Sequence, residues 1–337
     1  VEKNAMSMTH PSEIILSSTD PDLPHTIPQG LARYRNFREM ARGGSALLRS
    51  CVDTVIGRTV ACKTLLPEMK TDRKERRRFL REARVTAQLQ HPNTVPVYEI
   101  GDDPFEGLFF MMKRISGENF FEVLKRIAQN DPDTCERYSV RRRIEIVIAA
   151  SQALAYAHLR GVIHRDVKPE NIWVGNFGEV ILLDWGVAKV WGHADDNQAI
   201  SASVLRGGAG DSRNSLDSTQ LQTLTNHGVR PGTPLYMSPE QVHGNRGIDE
   251  RTDVFSVGVV LYEMLTLCEP FKGRTIDETF SNICNKDLPP PSQRGTRDDV
   301  PPAVDDVVLK AIAKRPGDRY THMRELIDAL QEVAANL

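Results

Sequence analysis

Cysteine is scarce and scattered. The five residues, Cys51, Cys62, Cys135, Cys268 and Cys284, are an odd number with no Cys-x-x-Cys pair. That excludes a disulfide-stapled fold, offers no zinc-ligand spacing and suits a reducing compartment. An excess of one charge is lacking too. Lys and Arg number 43 against 45 Asp and Glu, a net charge of -2, which argues against a nucleic-acid binder or a dedicated membrane-surface binder. No apolar run reaches the roughly 18 residues that span a bilayer, no signal-peptide pattern opens the chain, and there is no internal repeat. What remains is a chain of 337 residues, long enough for about two compact units. It reads as soluble and cytoplasmic. Because it opens on Val1, that reading includes the cytoplasmic part of a longer, membrane-anchored protein.

What is present centres on His164-Arg165-Asp166-Val167-Lys168-Pro169-Glu170-Asn171. Val162-Ile163 runs into this stretch and Ile172-Trp173-Val174 runs out of it. Apolar flanks predict a short loop pinned between two buried strands, so its polar side chains must converge. The carboxylate can accept a proton, the ammonium can neutralise a phosphate, and the carboxamide oxygen can ligate a hard cation. Downstream, an apolar strand from Glu179 to Leu183 ends in Asp184-Trp185-Gly186. Taken singly, each of these Asp and Asn residues also reads as an ordinary turn former.

Together the two stretches resemble the His-Arg-Asp-x-Lys-x-x-Asn loop and the Asp-Phe-Gly turn of eukaryotic-type (Hanks-type) protein kinases. Trp185 stands for Phe, and the wording is most like the bacterial serine/threonine members. The resemblance covers about residues 34 to 334. It implies an α+β, two-lobed protein kinase fold: a small, mainly antiparallel β N-lobe with one key helix (34–115), and a larger, mainly helical C-lobe (116–334). A long activation segment (184–240) belongs to the second lobe. Residues 1–33, rich in Ser, Thr, Pro and Asp without apolar periodicity, read as a linker or disordered tail.

The same resemblance assigns roles. Met40, Ala41, Arg42, Gly43, Gly44, Ser45, Ala46, Leu47 and Leu48 lie where a Gly-x-Gly-x-x-Gly-x-Val loop covers the nucleotide phosphates. Glycines there let backbone N–H groups come close. Ala41 and Ala46 replace the first and third, which predicts looser phosphate packing, while Gly43 keeps the middle position. An ordinary hairpin turn is the plain reading of Gly43-Gly44. Lys63 closes a strand matching Val-Ala-x-Lys and is implied to hold the α- and β-phosphates. Its orienting partner is implied to be Glu82, on a helix from about Lys74 to Gln90. There the apolar face leaves a glutamate costly unless it is paired. Arg73, Lys74, Arg76, Arg77, Arg78, Arg81 and Arg84 on that helix read as a solvated face, or as a grip on a phosphorylated loop. Met112 would flank the adenine and Lys113 to Ile115 would connect the lobes.

In the second part, Asp166 is implied as catalytic base, Lys168 as the γ-phosphate cation, and Asn171 with Asp184 as the Mg²⁺ ligands. Thr223 and Thr225 lie where relatives are phosphorylated, with Arg165 as the phosphate's partner, and Thr233 lies in the docking loop. Arg251-Thr252-Asp253 is expected to cap a helix, Val254 to Leu267, apolar nearly all round and so buried. Asp253 also resembles the residue that braces the catalytic loop, and Arg319 resembles the partner of Glu240. The implied activity is transfer of the γ-phosphoryl group of ATP, with Mg²⁺, to serine and threonine hydroxyls of proteins. The chain's own loop is among the implied acceptors, through transient self-association. The alternatives are a nucleotide-binding pseudokinase scaffold, a small-molecule phosphotransferase and a purely structural interaction module.

Overall fold

The computed structural model describes residues 27–190, 234–245, 247–294 and 300–337. The expected acceptors Thr223 and Thr225, Thr233, and most of the segment 184–240 lie outside them, as do residues 1–26. The chain is α+β and divides into two compact units: one runs to Phe79 and resumes over Val97–Ile115, the other comprises Leu80–Pro96 and Ser116–Leu337. No described helix is long and apolar enough to cross a membrane.

The first unit is a five-stranded antiparallel sheet built from β1 (Tyr34–Arg42), β2 (Ala46–Asp53), β3 (Thr59–Leu65), β4 (Val97–Asp103) and β5 (Gly107–Lys113). Its order is β1-β2-β3-β5-β4. The central strands β3 and β5 are nearly continuous runs of buried residues, as expected of strands covered on both faces. On the edge strand β4, half-buried and exposed positions alternate. Cys51, Val60, Cys62, Phe109 and Met111 form the core with Tyr34. Helix α1 (Arg73–Gln88) begins in this unit, where Phe79 lies on Phe110 with ring centroids 5.1 Å apart.

Regular structure starts before Tyr34. A short 3-10 turn, Gly30–Arg33, precedes β1, and Arg33 forks onto the buried Asp53 carboxylate at 2.7 and 2.8 Å. Composition gave no hint of this, because what ties the turn down is the fork with Asp53 and the Thr54 N–H and hydroxyl on the Arg33 carbonyl at 3.0 and 2.7 Å, all contacts distant in sequence.

The second unit holds β6 (Glu118–Asn119), α2 (Phe120–Ala128), α3 (Pro132–Arg137), α4 (Val140–Leu159), β7 (Val162–Ile163), β8 (Ile172–Val174), β9 (Val180–Leu182) and β10 (Lys189–Val190). Then come α5 (Pro239–Val242), α6 (Arg251–Thr266), α7 (Ile276–Asn285), α8 (Asp305–Ala311) and α9 (Met323–Ala335). Helix α6 is the centre of the core. Every residue from Thr252 to Thr266 is buried, and α4, α8 and α9 pack on it. The second half of α1 belongs with this unit because Val85 and Leu89 join its core.

One boundary feature corrects the sequence reading. The residue preceding α6 is Glu250, with no side-chain cap, and Asp253 is inside the first turn. The Asp253 carboxylate is spent elsewhere, on the loop that carries Asp166.

Candidate active site

Two pairs of short strands build this site. β7 pairs with β10 and β8 pairs with β9, both antiparallel. The loop 164–171 joins β7 to β8, and the loop 183–188 joins β9 to β10. Because both ends of each loop are tied to the ends of the other, Asp166 and Asp184 are forced into one neighbourhood, although they are distant in sequence. The Leu183 N–H donates to the Asn171 carbonyl at 2.8 Å, and His164 Nε2 lies 3.0 Å from the Leu183 carbonyl.

Within the first loop, Lys168 Nζ donates to Asp166 Oδ2 at 2.6 Å. Asn171 Nδ2 donates to the Asp166 carbonyl at 2.8 Å and lies 3.2 Å from Oδ2. With its nitrogen committed to Asp166, the Asn171 amide keeps its oxygen for another partner. Burial alone would lower the Lys168 ammonium, but the Asp166 carboxylate, with Asp184 and Glu170 nearby, carries it above its ordinary value. Asp166, Lys168, Asn171 and Asp184 therefore form one cluster. Asn171 is buried, whereas Asp166 and Lys168 keep 34% and 30% of their side-chain surface open to an incoming group.

The loop is held in a conformation that its residues do not favour. Arg165 has φ +68° and Asp184 φ +62°, in the left-handed region that a non-glycine residue seldom occupies without support. Support comes from Asp253 on α6. Its Oδ2 accepts from the His164 N–H at 2.9 Å and its Oδ1 from the Arg165 N–H at 2.8 Å, while His158 Nε2 lies 2.7 Å from Oδ2. Burial works to raise the Asp253 carboxyl, yet the hydrogen bond and charge of His158, with His164 and the Arg165 N–H, hold it below its ordinary range. His164 adds a further tie, since its Nδ1 accepts from the Asp166 N–H at 3.2 Å. With Nδ1 accepting from the Asp166 N–H, it is Nε2 that donates to the Leu183 carbonyl. The Arg165 guanidinium donates to the Val187 carbonyl.

The remaining expected residues are placed as follows. Lys63 sits on β3 opposite Leu48 of β2 and Phe110 of β5, its Nζ 5.8 Å from the Phe110 ring centroid. Glu82 is half-buried on α1, beside the buried Ala83. Met40 to Leu48 form the β1–β2 hairpin, in which Ala41 pairs with Leu48 and the Gly43 N–H closes the turn on the Ala46 carbonyl at 2.8 Å. Neither Gly43 nor Gly44 has positive φ. A Cβ on Gly43 would meet only the Ala46 carbonyl at 3.6 Å, and one on Gly44 would meet nothing. The hairpin itself therefore does not require glycine at either position. Met112 on β5 and Ile115 at the end of the unit are half-buried. Glu240 and Arg319 form a buried fork at 2.7 and 2.8 Å. His158 was legible only as a histidine on the apolar face of α4, a signal too common to single out.

Among the described residues no group of three or more His, Cys, Asp or Glu is arranged to hold a metal ion. What the cluster does contain is one carboxamide, from Asn171, and the carboxylates of Asp166 and Asp184 around Lys168.

A family model described as a protein kinase domain matches residues 34–331. The chain is similar to the serine/threonine-protein kinase PknD of Chlamydia trachomatis, 34% identical over 314 residues, which covers 89% of this chain and 31% of that one. It is similar to the PknD of Chlamydia felis at 32% over 308 residues and to that of Protochlamydia amoebophila at 30% over 298. These cover 90% and 87% of this chain, and 31% and 29% of the relatives. The chain thus spans about a third of the length of the curated relatives it matches.

Proposed function

Since this chain belongs to the protein kinase family, we propose that it transfers the γ-phosphoryl group of ATP to serine and threonine hydroxyls of proteins. The observation that carries this reading is the closed set of Asp166, Lys168, Asn171 and Asp184 on two interlocked loops. Phosphoryl transfer asks for in-line positioning and charge neutralisation more than for covalent chemistry, and these residues supply both. Asp166, with its backbone fixed and its carboxylate partly open, orients the acceptor hydroxyl and takes its proton as transfer completes. Lys168, already bonded to Asp166, neutralises the γ-phosphate and ties nucleophile and phosphate to one frame. Asn171 and Asp184 are the residues that would hold Mg²⁺, which supplies charge neutralisation at the phosphates when bound. Lys63 takes the α- and β-phosphates in this reading, with Glu82 as its proposed orienting carboxylate. The glycines of the β1–β2 turn, which the hairpin does not need, leave room for phosphate against the backbone.

Serine/threonine acceptors rather than tyrosine are favoured by the lysine two residues after Asp166 and by Thr233. Regulation is proposed through Thr223 or Thr225, with Arg165 receiving the phosphate, by transient pairing of two copies. A cytoplasmic setting is part of the same proposal.

The test is incubation with Mg²⁺ and labelled ATP, comparing wild type, Asp166→Asn and Lys63→Ala, followed by mapping of the labelled residues. Label confined to wild type, on serine or threonine within residues 201–225, is expected. Equal label in all three proteins would sink the reading.

A further inference from the structure

One buried side-chain amide is not accounted for by the chemistry above. Gln241, on α5, is 7% exposed. Its Oε1 accepts from the Ser238 N–H at 2.9 Å, with the Ser238 and Thr252 hydroxyls at 3.2 and 3.3 Å. Its Nε2 donates to the carbonyl of Arg165 at 2.9 Å. The amide cannot be turned over without leaving those donors and setting an oxygen against a carbonyl, so its orientation is determined.

Arg165 is the residue before Asp166 and one of the two strained positions of the site. Its N–H is held by Asp253 from α6, and its carbonyl is held by Gln241 from α5. The backbone entering Asp166 is therefore clamped on both sides. The two clamps differ in what keeps them in place. Asp253 belongs to the buried central helix. Gln241 lies in the stretch 234–242, which is docked on α6 by the Ser256 hydroxyl donating to the Tyr236 carbonyl at 2.7 Å and tied to it through Arg319, which forks onto Glu240 and donates to the Arg251 carbonyl of α6 at 2.9 Å.

We propose that Gln241 is a positioning residue for Asp166, which makes the alignment of the base conditional on residues 234–242 being docked on α6. The inference rests on the phosphotransfer reading. When this stretch lifts, the Arg165 carbonyl loses its clamp from α5, and Asp166 loses its fixed direction while Asp253 still holds the loop as a whole.

The experiment compares wild type with Gln241→Met, which keeps the volume and removes the donor, and with Gln241→Glu, which sets an acceptor against the Arg165 carbonyl. Each is assayed by steady-state kinetics on a serine peptide, by burst titration of active sites, and by amide hydrogen exchange over residues 164–167. Displacement of a base on this scale is worth ~10–100-fold. The expected result is a kcat per titrated site that falls by that factor, with KM for ATP within about twofold and Tm lowered in the Met variant, which also strands the Ser238 N–H, but not in proportion to the fall in kcat. Exchange at 164–167 should quicken, and the Glu variant should fall further. An unchanged kcat per titrated site together with unchanged exchange overturns the proposal, and so does a loss confined to the number of titrated sites. An inactive wild type counts against the phosphotransfer reading alone, because the exchange measurement still decides whether Gln241 holds the loop.

Discussion

Asp166 touches Lys168 at 2.6 Å and Asn171 at 3.2 Å, so none of the three can be changed without moving the other two. For Lys168 the raised pKa has a definite sign. A cation whose folded-state pKa lies above its ordinary 10.5 stays charged across the neutral range, and its contribution to stability is lost only as pH climbs through the raised value. A pH dependence of rate around neutrality must therefore come from another group. Asp166→Asn is expected to lower kcat by ~10²–10⁴, the usual worth of a positioned base, with the circular dichroism spectrum unchanged. Asn171→Ala removes both a hold on Asp166 and the oxygen proposed for Mg²⁺. A Mg²⁺ titration of activity should show a lower plateau and a half-maximum at higher Mg²⁺. A half-maximum that stays put would remove Asn171 from the metal reading.

Among the elements, α6 was the most legible, since an apolar run on all faces has no surface to offer water. Gly258 within it was not legible. Glycine in a helix interior costs about 1 kcal/mol relative to alanine, so sequence alone recommends replacing it. In the fold, a Cβ there would lie 2.7 Å from Ile312 Cγ2, 2.8 Å from Ala311 Cβ and 3.2 Å from the Ala311 carbonyl carbon. Backbone of α8 cannot retreat as a side-chain tip can, and overpacking of this kind costs ~1–3 kcal/mol. Gly258→Ala is therefore expected to be destabilising by up to about 2 kcal/mol in urea unfolding, once the gain in helix propensity is subtracted. A stabilised variant would show that α8 can move away.

At the scale of the whole molecule, several carboxylates are held below their ordinary range against burial. In the first unit Asp53 is lowered by its fork with Arg33 and by backbone N–H groups. In the second, Glu240 is lowered by Arg319, and Asp253 by its histidine and backbone partners. A group whose folded pKa is depressed gives stability that is present above its unfolded value and lost as pH falls through the folded one. Urea midpoints should accordingly hold steady through neutral pH and decline once pH drops below the ordinary 4.5 of Glu240 and 3.8 of the aspartates. Glu240→Gln should be less stable at neutral pH and show a shallower acid decline. Arg319→Met, which strands a buried carboxylate, is expected to cost ~3–5 kcal/mol.

The amino-acid sequence by itself determined the family resemblance, the residues proposed for the chemistry and the segments that must be buried. Asp166, Lys168, Asn171 and Asp184 stand out only as a set, since each Asp or Asn singly reads as a turn former and the two motifs together carry the resemblance, and α6 stands out because an apolar pattern on all faces allows only burial. Only the tertiary structure decided what holds those residues in place. The resemblance named Asp253 as a brace, and the fold supplies its partners, the N–H groups of His164 and Arg165; Gln241 reads as nothing in particular yet reaches the Arg165 carbonyl across 76 residues. Helices α2, α3, α7 and α8 are too short for their periodicity to declare them, and packing selects them. Side-chain chemistry is a local property written at each position, whereas a hydrogen-bond partner is a property of where two distant segments meet.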